Sequence, residues 1–247
     1  PSTVAALRAD QEAGAYPAEL VAAAHRLGFG RLLTDQADVF RLCALNALTA
    51  SVDGTLAITL GVNALALLPV HLGAAPALRR RVFDRVEGGA CSSMLLTELA
   101  HGSNLLRNQA RAIADGDDFR LTGEKHLING ATRHELLISL MRTASSDGLA
   151  FGDFTLFVVE RDDTVEALPR WSTLPMRGAD IAGVRFHGTR VARDAVIGKV
   201  GDGFSVVQQT LTLSRGGISG LASGCASGSL ALAQFCLEPM DPGPVVV

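Results

Sequence analysis

The sequence reads as an α+β protein on three observations. From Pro17 to about Arg85 apolar residues recur at helical spacing. Around Glu87-Gly88-Gly89 the texture changes to short runs rich in β-branched residues, broken by turn chemistry such as Asp115-Gly116-Asp117-Asp118, Ser145-Ser146-Asp147-Gly148 and Arg161-Asp162-Asp163. After Gly201-Asp202-Gly203 the helical pattern returns. This order predicts an N-terminal α-helical domain over 1–90, a central β domain over 91–200 and a C-terminal helical segment over 201–247.

Within the first stretch the helical periodicity rests on Leu20, Ala23, Ala24 and Leu27, then on Phe40, Leu42, Cys43, Leu45 and Leu48. Residues 55–78 form the longest apolar run, but Asn63, Pro69 and His71 interrupt it and small residues dilute it. A buried helix is expected there, not a membrane span. In the β domain, strands are expected at Ser93–Thr97, Gln109–Ala114, Phe119–Thr122, Glu124–Ile128, Glu135–Arg142, Thr155–Glu160 and Val184–His187. Short strands with short loops suit a β-barrel or sandwich. The final helix should run from Phe204 to about Phe235, with Pro239, Pro242 and Pro244 ending it.

That helix carries Gly216, Gly220, Gly224 and Gly228 at every fourth position, with Ser219, Ser223 and Ser227 beside them. One helix face is thus nearly bare backbone. Each interior glycine costs about 1 kcal/mol of helix propensity against alanine, so the stripe predicts a close helix–helix contact. Arg215 and the glutamines on the same helix argue against a lipid-facing role. No segment stands out as the neighbour, and the helix is expected to find it outside this sequence.

Composition narrows the function classes. With 247 residues, 48% of them hydrophobic, the chain can bury a substantial core. Its 22 basic and 25 acidic residues give a net charge of −3, with no broad basic footprint for nucleic acid. Cys43, Cys91, Cys225 and Cys236 are far apart and show no metal-ligand spacing. They are read as reduced core thiols of a cytoplasmic protein. No basic leader or apolar signal core follows Pro1, so no targeting segment is expected.

Chemistry is concentrated in two segments, Leu96-Thr97-Glu98-Leu99-Ala100-His101-Gly102-Ser103-Asn104 and Thr122-Gly123-Glu124-Lys125-His126-Leu127-Ile128-Asn129. Each joins an apolar strand to hydroxyl, amide or glycine positions, where backbone N–H groups and short side chains can meet a planar polar ring and a pyrophosphate. Such a pairing points to a flavin. With Met176-Arg177-Gly178-Ala179-Asp180, the segments resemble three ordered motifs of the acyl-CoA dehydrogenase family, T-E-x-x-x-G-S-D, G-x-K-x-x-I-T-N and M-R-G-[ST], over residues 17 to 235.

The resemblance implies FAD as cofactor, an acyl thioester on coenzyme A or a carrier protein as substrate, and a homo- or hetero-oligomer with another subunit of the same kind. By position, Thr97 would bond the flavin ring and Ser103 the pyrophosphate, Gly102 would admit the phosphates, and Ile128 and Asn129 would complete the ring site, Asn129 replacing the family's threonine. Leu95 and Arg215 are the candidate substrate contacts. His101 and His126 read as surface or packing histidines, and Trp171 as a loop anchor.

The resemblance also implies departures. The family's base is a glutamate in the C-terminal helical bundle, in one branch just before an arginine; here Ser214 precedes Arg215. In the commoner branch it lies in a later helix, which this sequence lacks. Serine without a partner is no carboxylate base. Leu127 for the usual tryptophan, Asn129 for threonine and Asn104 for aspartate make the seat atypical, like that of divergent relatives in actinobacterial secondary metabolism. The expected protein is a flavin-dependent acyl-CoA or acyl-carrier-protein dehydrogenase subunit, holding the first helix of a truncated C-terminal bundle and taking its base from a partner chain. The alternatives are a non-catalytic binding or regulatory subunit and a flavin-dependent oxygenase on the same fold.

Overall fold

A computed structural model of the chain describes residues 13–35, 38–144 and 150–237. The turn at Ser145-Ser146-Asp147-Gly148 and the three C-terminal prolines lie outside the described residues.

Five helices come first: α1 (Ala18–Arg26), α2 (Phe29–Asp35), α3 (Val39–Ala50), α4 (Gly54–Gly73) and α5 (Pro76–Glu87). Local chemistry marks their starts. The Asp38 carboxylate accepts the amides of Phe40 and Arg41 at 2.9 and 3.2 Å, and that of Asp53 accepts Thr55 and Leu56 at 2.8 and 3.0 Å. Pro76 opens α5, where a missing N–H costs nothing. Helix α4 is long and apolar enough to cross a membrane, yet Ala57, Leu60, Ala66, Leu67 and Val70 are packed inside the protein. It is the core helix that the interrupted apolar run predicts.

Eight strands follow: β1 (Ser92–Leu95), β2 (Arg111–Asp115), β3 (Asp118–Ile128), β4 (Leu136–Arg142), β5 (Phe154–Glu160), β6 (Val165–Ala167), β7 (Ala182–Ala192) and β8 (Val196–Ile197). They form one sheet in the order β6-β7-β3-β2-β4-β5-β8, with β1 beside β4. The sheet is open, which corrects the expected barrel or sandwich. Strand spacing carries loop lengths but not pairing order. The two strands expected at 119–122 and 124–128 are one, because Thr122 and Gly123 stay paired with His187 and Phe186 and the register shift falls at the glycine of β7, Gly188. Strands β6 and β8, of three and two residues, are too short to leave a pattern.

Helix α6 (Gly203–Leu237) closes the described chain. Its glycine stripe does have a neighbour within the sequence, which corrects that expectation: Gly216, Gly220, Gly224 and Gly228 face Val39, Cys43, Ala47 and Ser51 along α3. Small side chains at Cys43, Ala47 and Ser51 let the two backbones approach, so that a Cβ on Gly220, Gly224 or Gly228 would overlap a carbonyl of α3 or its cap. Buried Asn46 crosses the contact, its amide donating to the Gly217 carbonyl at 3.0 Å. Phe40, Leu48, Ile218, Leu230, Leu232 and Phe235 remain exposed on these two helices. Cys236 is exposed as well, so it is not a core thiol; all four cysteines are free, and the other three are half-buried.

Gly220→Ala is expected to destabilise the protein by about 1–3 kcal/mol in urea unfolding, since overpacking outweighs the gain in helix propensity. Ser223→Ala, on the exposed side of α6, should change stability by less than about 0.5 kcal/mol.

Candidate functional site

The site grows from the place where β1 meets α4. Asn63, a polar interruption of the apolar helix, accepts the Ser92 amide on its side-chain oxygen at 2.6 Å and the Ser92 hydroxyl on its carbonyl at 3.2 Å. This fixes the start of β1, whose other edge runs parallel to β4. Beyond β1 the chain passes the end of β3: the Thr97 carbonyl accepts the His126 amide at 2.8 Å, and the Ser93 hydroxyl donates to the Asn129 carbonyl at 2.7 Å. The two candidate segments therefore lie side by side.

A buried ion pair locks them. Glu98 accepts the Lys125 ammonium at 2.9 Å, and its two oxygens also take the amides of Ala110 and Gln109 at 2.9 and 2.7 Å. Lys125 is fully enclosed and reaches the Leu96 carbonyl at 3.3 Å. Burial pushes the Lys125 pKa down, and Glu98 opposes that shift. As part of an isolated Thr-Glu pair Glu98 would read as a surface acid, and it is the ordered motif that gives it a role. The signal for the pair is the two-residue period of β3, which puts Phe119, Leu121, Gly123 and Lys125 on one face.

Past Lys125 the strand bulges. Leu127 adopts φ 57°, a left-handed conformation rare for a side chain of its size, and is 52% exposed while Ile128 turns back into the core. Asn129 is half-buried, and its side-chain oxygen is enclosed with no hydrogen-bond partner among the described residues. An enclosed, unpaired amide oxygen is costly unless something else meets it. Thr97 is half-buried, while Gly102, Ser103 and Asn104 lie exposed in the following loop, with open space on the Cβ side of Gly102 except for the Thr97 methyl at 3.9 Å. Thr97, Gly102, Ser103, Ile128 and Asn129 thus share one edge of the fold. Leu95 is fully enclosed in the core, so it packs and is not solvent-accessible, and Arg215 is exposed on α6 with no ion-pair partner among the described residues.

Beneath this edge lies a group that sequence reading misses. The His134 ring is 1% exposed; its Nδ1 lies 2.9 Å from the Ser92 carbonyl and 2.8 Å from the Ser93 hydroxyl, and its Nε2 lies 3.0 Å from the Tyr16 hydroxyl. Burial brings its pKa down to about 4, although the Ser92 carbonyl, Glu135 and Asp180 pull the other way. The third motif docks from outside: Asp180 accepts the Thr132 amide at 2.9 Å, and the Gly130 and Ala131 amides donate to the Ala179 and Asp180 carbonyls at 3.0 and 3.2 Å. His126, an expected packing histidine, is buried and bonded to Glu124 at 2.8 Å. His101 is half-buried, and the Trp171 amide donates to the Ile181 carbonyl at 2.8 Å.

Residues 93–189 match the family model for the acyl-CoA dehydrogenase middle domain. In sequence the chain is 33% identical over 171 residues to the probable acyl-CoA dehydrogenase FadE10 of Mycobacterium tuberculosis, covering 67% of this chain and 26% of that protein. In fold it is similar to butyryl-CoA dehydrogenase from Megasphaera elsdenii, with a TM-score of 0.84 and 22% identity over 92% of this chain and 62% of that one. It is also similar to an FAD complex of PigA, with a TM-score of 0.78 and 17% identity, again over 92% and 62% of the two chains. The chain therefore spans less than two thirds of each of these proteins.

Two stability measurements test the site's construction. Lys125→Ala leaves Glu98 buried without a counter-charge and should cost about 3–5 kcal/mol, whereas Lys125→Met with Glu98→Gln should recover much of that loss. The His134 pKa is depressed in the folded state to about 4, below its ordinary value of 6.5. The unfolded chain therefore binds the extra proton first as pH falls. Its contribution is complete above pH 6.5 and lost toward pH 4, a fall of up to about 3 kcal/mol that His134→Gln should remove from the pH profile of urea unfolding.

Proposed function

Because the chain belongs to the acyl-CoA dehydrogenase family, we propose that it supplies the flavin- and acyl-binding part of an FAD-dependent acyl-thioester dehydrogenase, with the proton-abstracting base coming from a partner chain. The observation that carries the reading is the joined pair of motif segments, held by Glu98 and Lys125, that ends on the unpaired Asn129 oxygen. These residues fit an isoalloxazine, whose edge offers both N–H and C=O groups to an amide side chain. Thr97 and Asn129 would hold the ring, Ile128 would back it from the core, and the backbone of Gly102 with the Ser103 hydroxyl would take the pyrophosphate.

When bound, FAD would supply the acceptor for the hydride, and with it the two electrons, that leaves the acyl β carbon. The protein's own share is to orient the ring, present the acyl group and exclude water from the reacting carbons. Leu95 backs this region from within the core, and Arg215 is free to meet the phosphates of coenzyme A or of a carrier's phosphopantetheine. The α-proton needs a carboxylate. Ser214 is half-buried, and its hydroxyl donates to the Leu211 carbonyl at 3.0 Å, a local helix bond that leaves it no role as a base. The exposed apolar side chains Phe40, Leu48, Leu230 and Phe235 are what a further helical subunit would cover. A cytoplasmic oligomer carrying out oxidation in secondary metabolism is the setting this reading favours.

The engaged hydroxyl of Ser214 also favours a second reading, a flavin- or acyl-binding subunit without catalysis. One set of measurements separates them. Alone, the chain should take up FAD, show the flavin absorption bands and fail to bleach with acyl thioester. Ser214→Glu, or addition of the partner subunit, should raise bleaching by about 10²-fold or more, the usual worth of a positioned base. Bleaching at full rate by the unmodified chain alone would overturn the partner-supplied base, and bound flavin that no assembly bleaches would establish the binding subunit.

A further inference from the structure

Resting on the flavin reading above, we infer that His134, with its ring held by Tyr16, is a positioning residue for the flavin seat and acts through Ser93 on the Asn129-Gly130 turn. Three contacts carry the inference. First, the His134 ring fills the space in which a side chain on residue 130 would stand, so the turn closes flush on the imidazole; Gly130, at φ 68°, meets both the steric and the conformational demand. Second, the ring's tautomer is fixed. The Ser92 carbonyl at 2.9 Å can only accept, so Nδ1 carries the proton and Nε2 must accept from the Tyr16 hydroxyl at 3.0 Å. Burial raises the Tyr16 pKa far above neutrality, which keeps that donor protonated.

Third, the Ser93 hydroxyl, 2.8 Å from Nδ1, is free to give its own proton to the Asn129 carbonyl at 2.7 Å. With the one Nδ1 proton shared between the Ser92 carbonyl and the Ser93 hydroxyl oxygen, hydrogen bonds run from Tyr16 through His134 and Ser93 to the backbone of Asn129. The side chain of that same residue ends in the buried oxygen that has no hydrogen-bond partner among the described residues. A turn pinned from below in this way holds an amide toward a ligand without spending the amide on the protein. Tyr16 precedes α1 and His134 precedes β4, so the relay also couples the helical part of the chain to the seat.

The test uses Tyr16→Phe, His134→Ala and, as a control of similar type, His71→Ala, which removes a different histidine bonded to the Leu33 carbonyl at 2.8 Å. His134→Ala should weaken FAD binding by about tenfold or more and shift the flavin midpoint potential, with Tyr16→Phe giving smaller changes of the same sign. Without flavin, amide exchange at Gly130 and Ala131 should quicken in His134→Ala and remain unchanged in His71→Ala at equal residual stability. Imidazole added to His134→Ala should reverse both effects. If the His134 and Tyr16 variants lose stability while FAD affinity, potential and local exchange match the control, the positioning role is overturned. If the unmodified chain takes up no FAD, the flavin reading fails, and the exchange measurement still decides whether His134 sets the turn.

Discussion

A buried charge pair governs the arrangement of this protein's chemistry. Removing a carboxylate and an ammonium from water costs several kcal/mol for each ion, and attraction between them repays that only where the remaining hydrogen-bonding groups are met. Glu98 and Lys125 satisfy the condition: the carboxylate has three donors, Lys125, Gln109 and Ala110, and the ammonium has a second acceptor in the Leu96 carbonyl. Each partner demands a different piece of backbone. Glu98 can be satisfied only if the chain entering β2 wraps around it, and Lys125 only if the end of β3 lies against the end of β1. The segments that carry Thr97 and Asn129 are therefore held together by the need to keep two charges dry and paired.

That demand propagates into the helices. The segment after β1 is correctly placed only if β1 is, and β1 takes its start from Asn63 in the middle of an otherwise apolar helix. Helix α4 packs in turn against α3 and α6, and the α6 glycines bring these two to backbone distance of each other. At its start α6 approaches β5 so closely that a side chain on Gly203 would overlap the backbone of Thr155 and Leu156. Helix and sheet layers thus share one core, and the polar groups inside it, Asn63, Lys125 and His134, each make the contacts that fix a neighbouring segment.

The sequence is most legible where a local rule decides the outcome. Periodicity marks the helical and β stretches because burial of one face is a local demand, and the apolar run of α4 is enclosed as its interruptions imply. The glycine stripe announces a close contact for the same reason. Its partner is harder to read, because α3 contributes only small residues at the matching spacing, Cys43, Ala47 and Ser51, which resemble any helix surface. Sheet closure is not legible, since pairing order follows from tertiary packing and not from strand length. Motif residues identify the edge at Thr97 and Asn129 and include Glu98 and Lys125, but they tell neither that these two pair in the interior nor that His134 supports the turn. Lys125 and His134 are residue types that usually face water, and only the three-dimensional enclosure converts them into internal supports.

Strain and satisfaction are divided unevenly around the site. Glu98, Lys125, His134 and Asp180 are met by several partners each, whereas the two exceptions on the same short stretch are Leu127, held at positive φ with its side chain half in solvent, and Asn129, with an enclosed oxygen unpaired among the described residues. Both exceptions cost free energy that a purely structural bulge does not require. A one-residue bulge flips the face of everything after it, which is how consecutive residues here come to be exposed, buried and half-buried. The supporting residues hold that irregular conformation through contacts on both sides of it. Preorganisation of this kind favours a ligand that is planar and polar at its edge, because the protein groups it meets are already fixed and little ordering cost remains at binding. Ser214 offers a hydroxyl already engaged by the Leu211 carbonyl and no carboxylate, so on the proposed reading such a seat orients its ligand and proton removal falls to a partner chain.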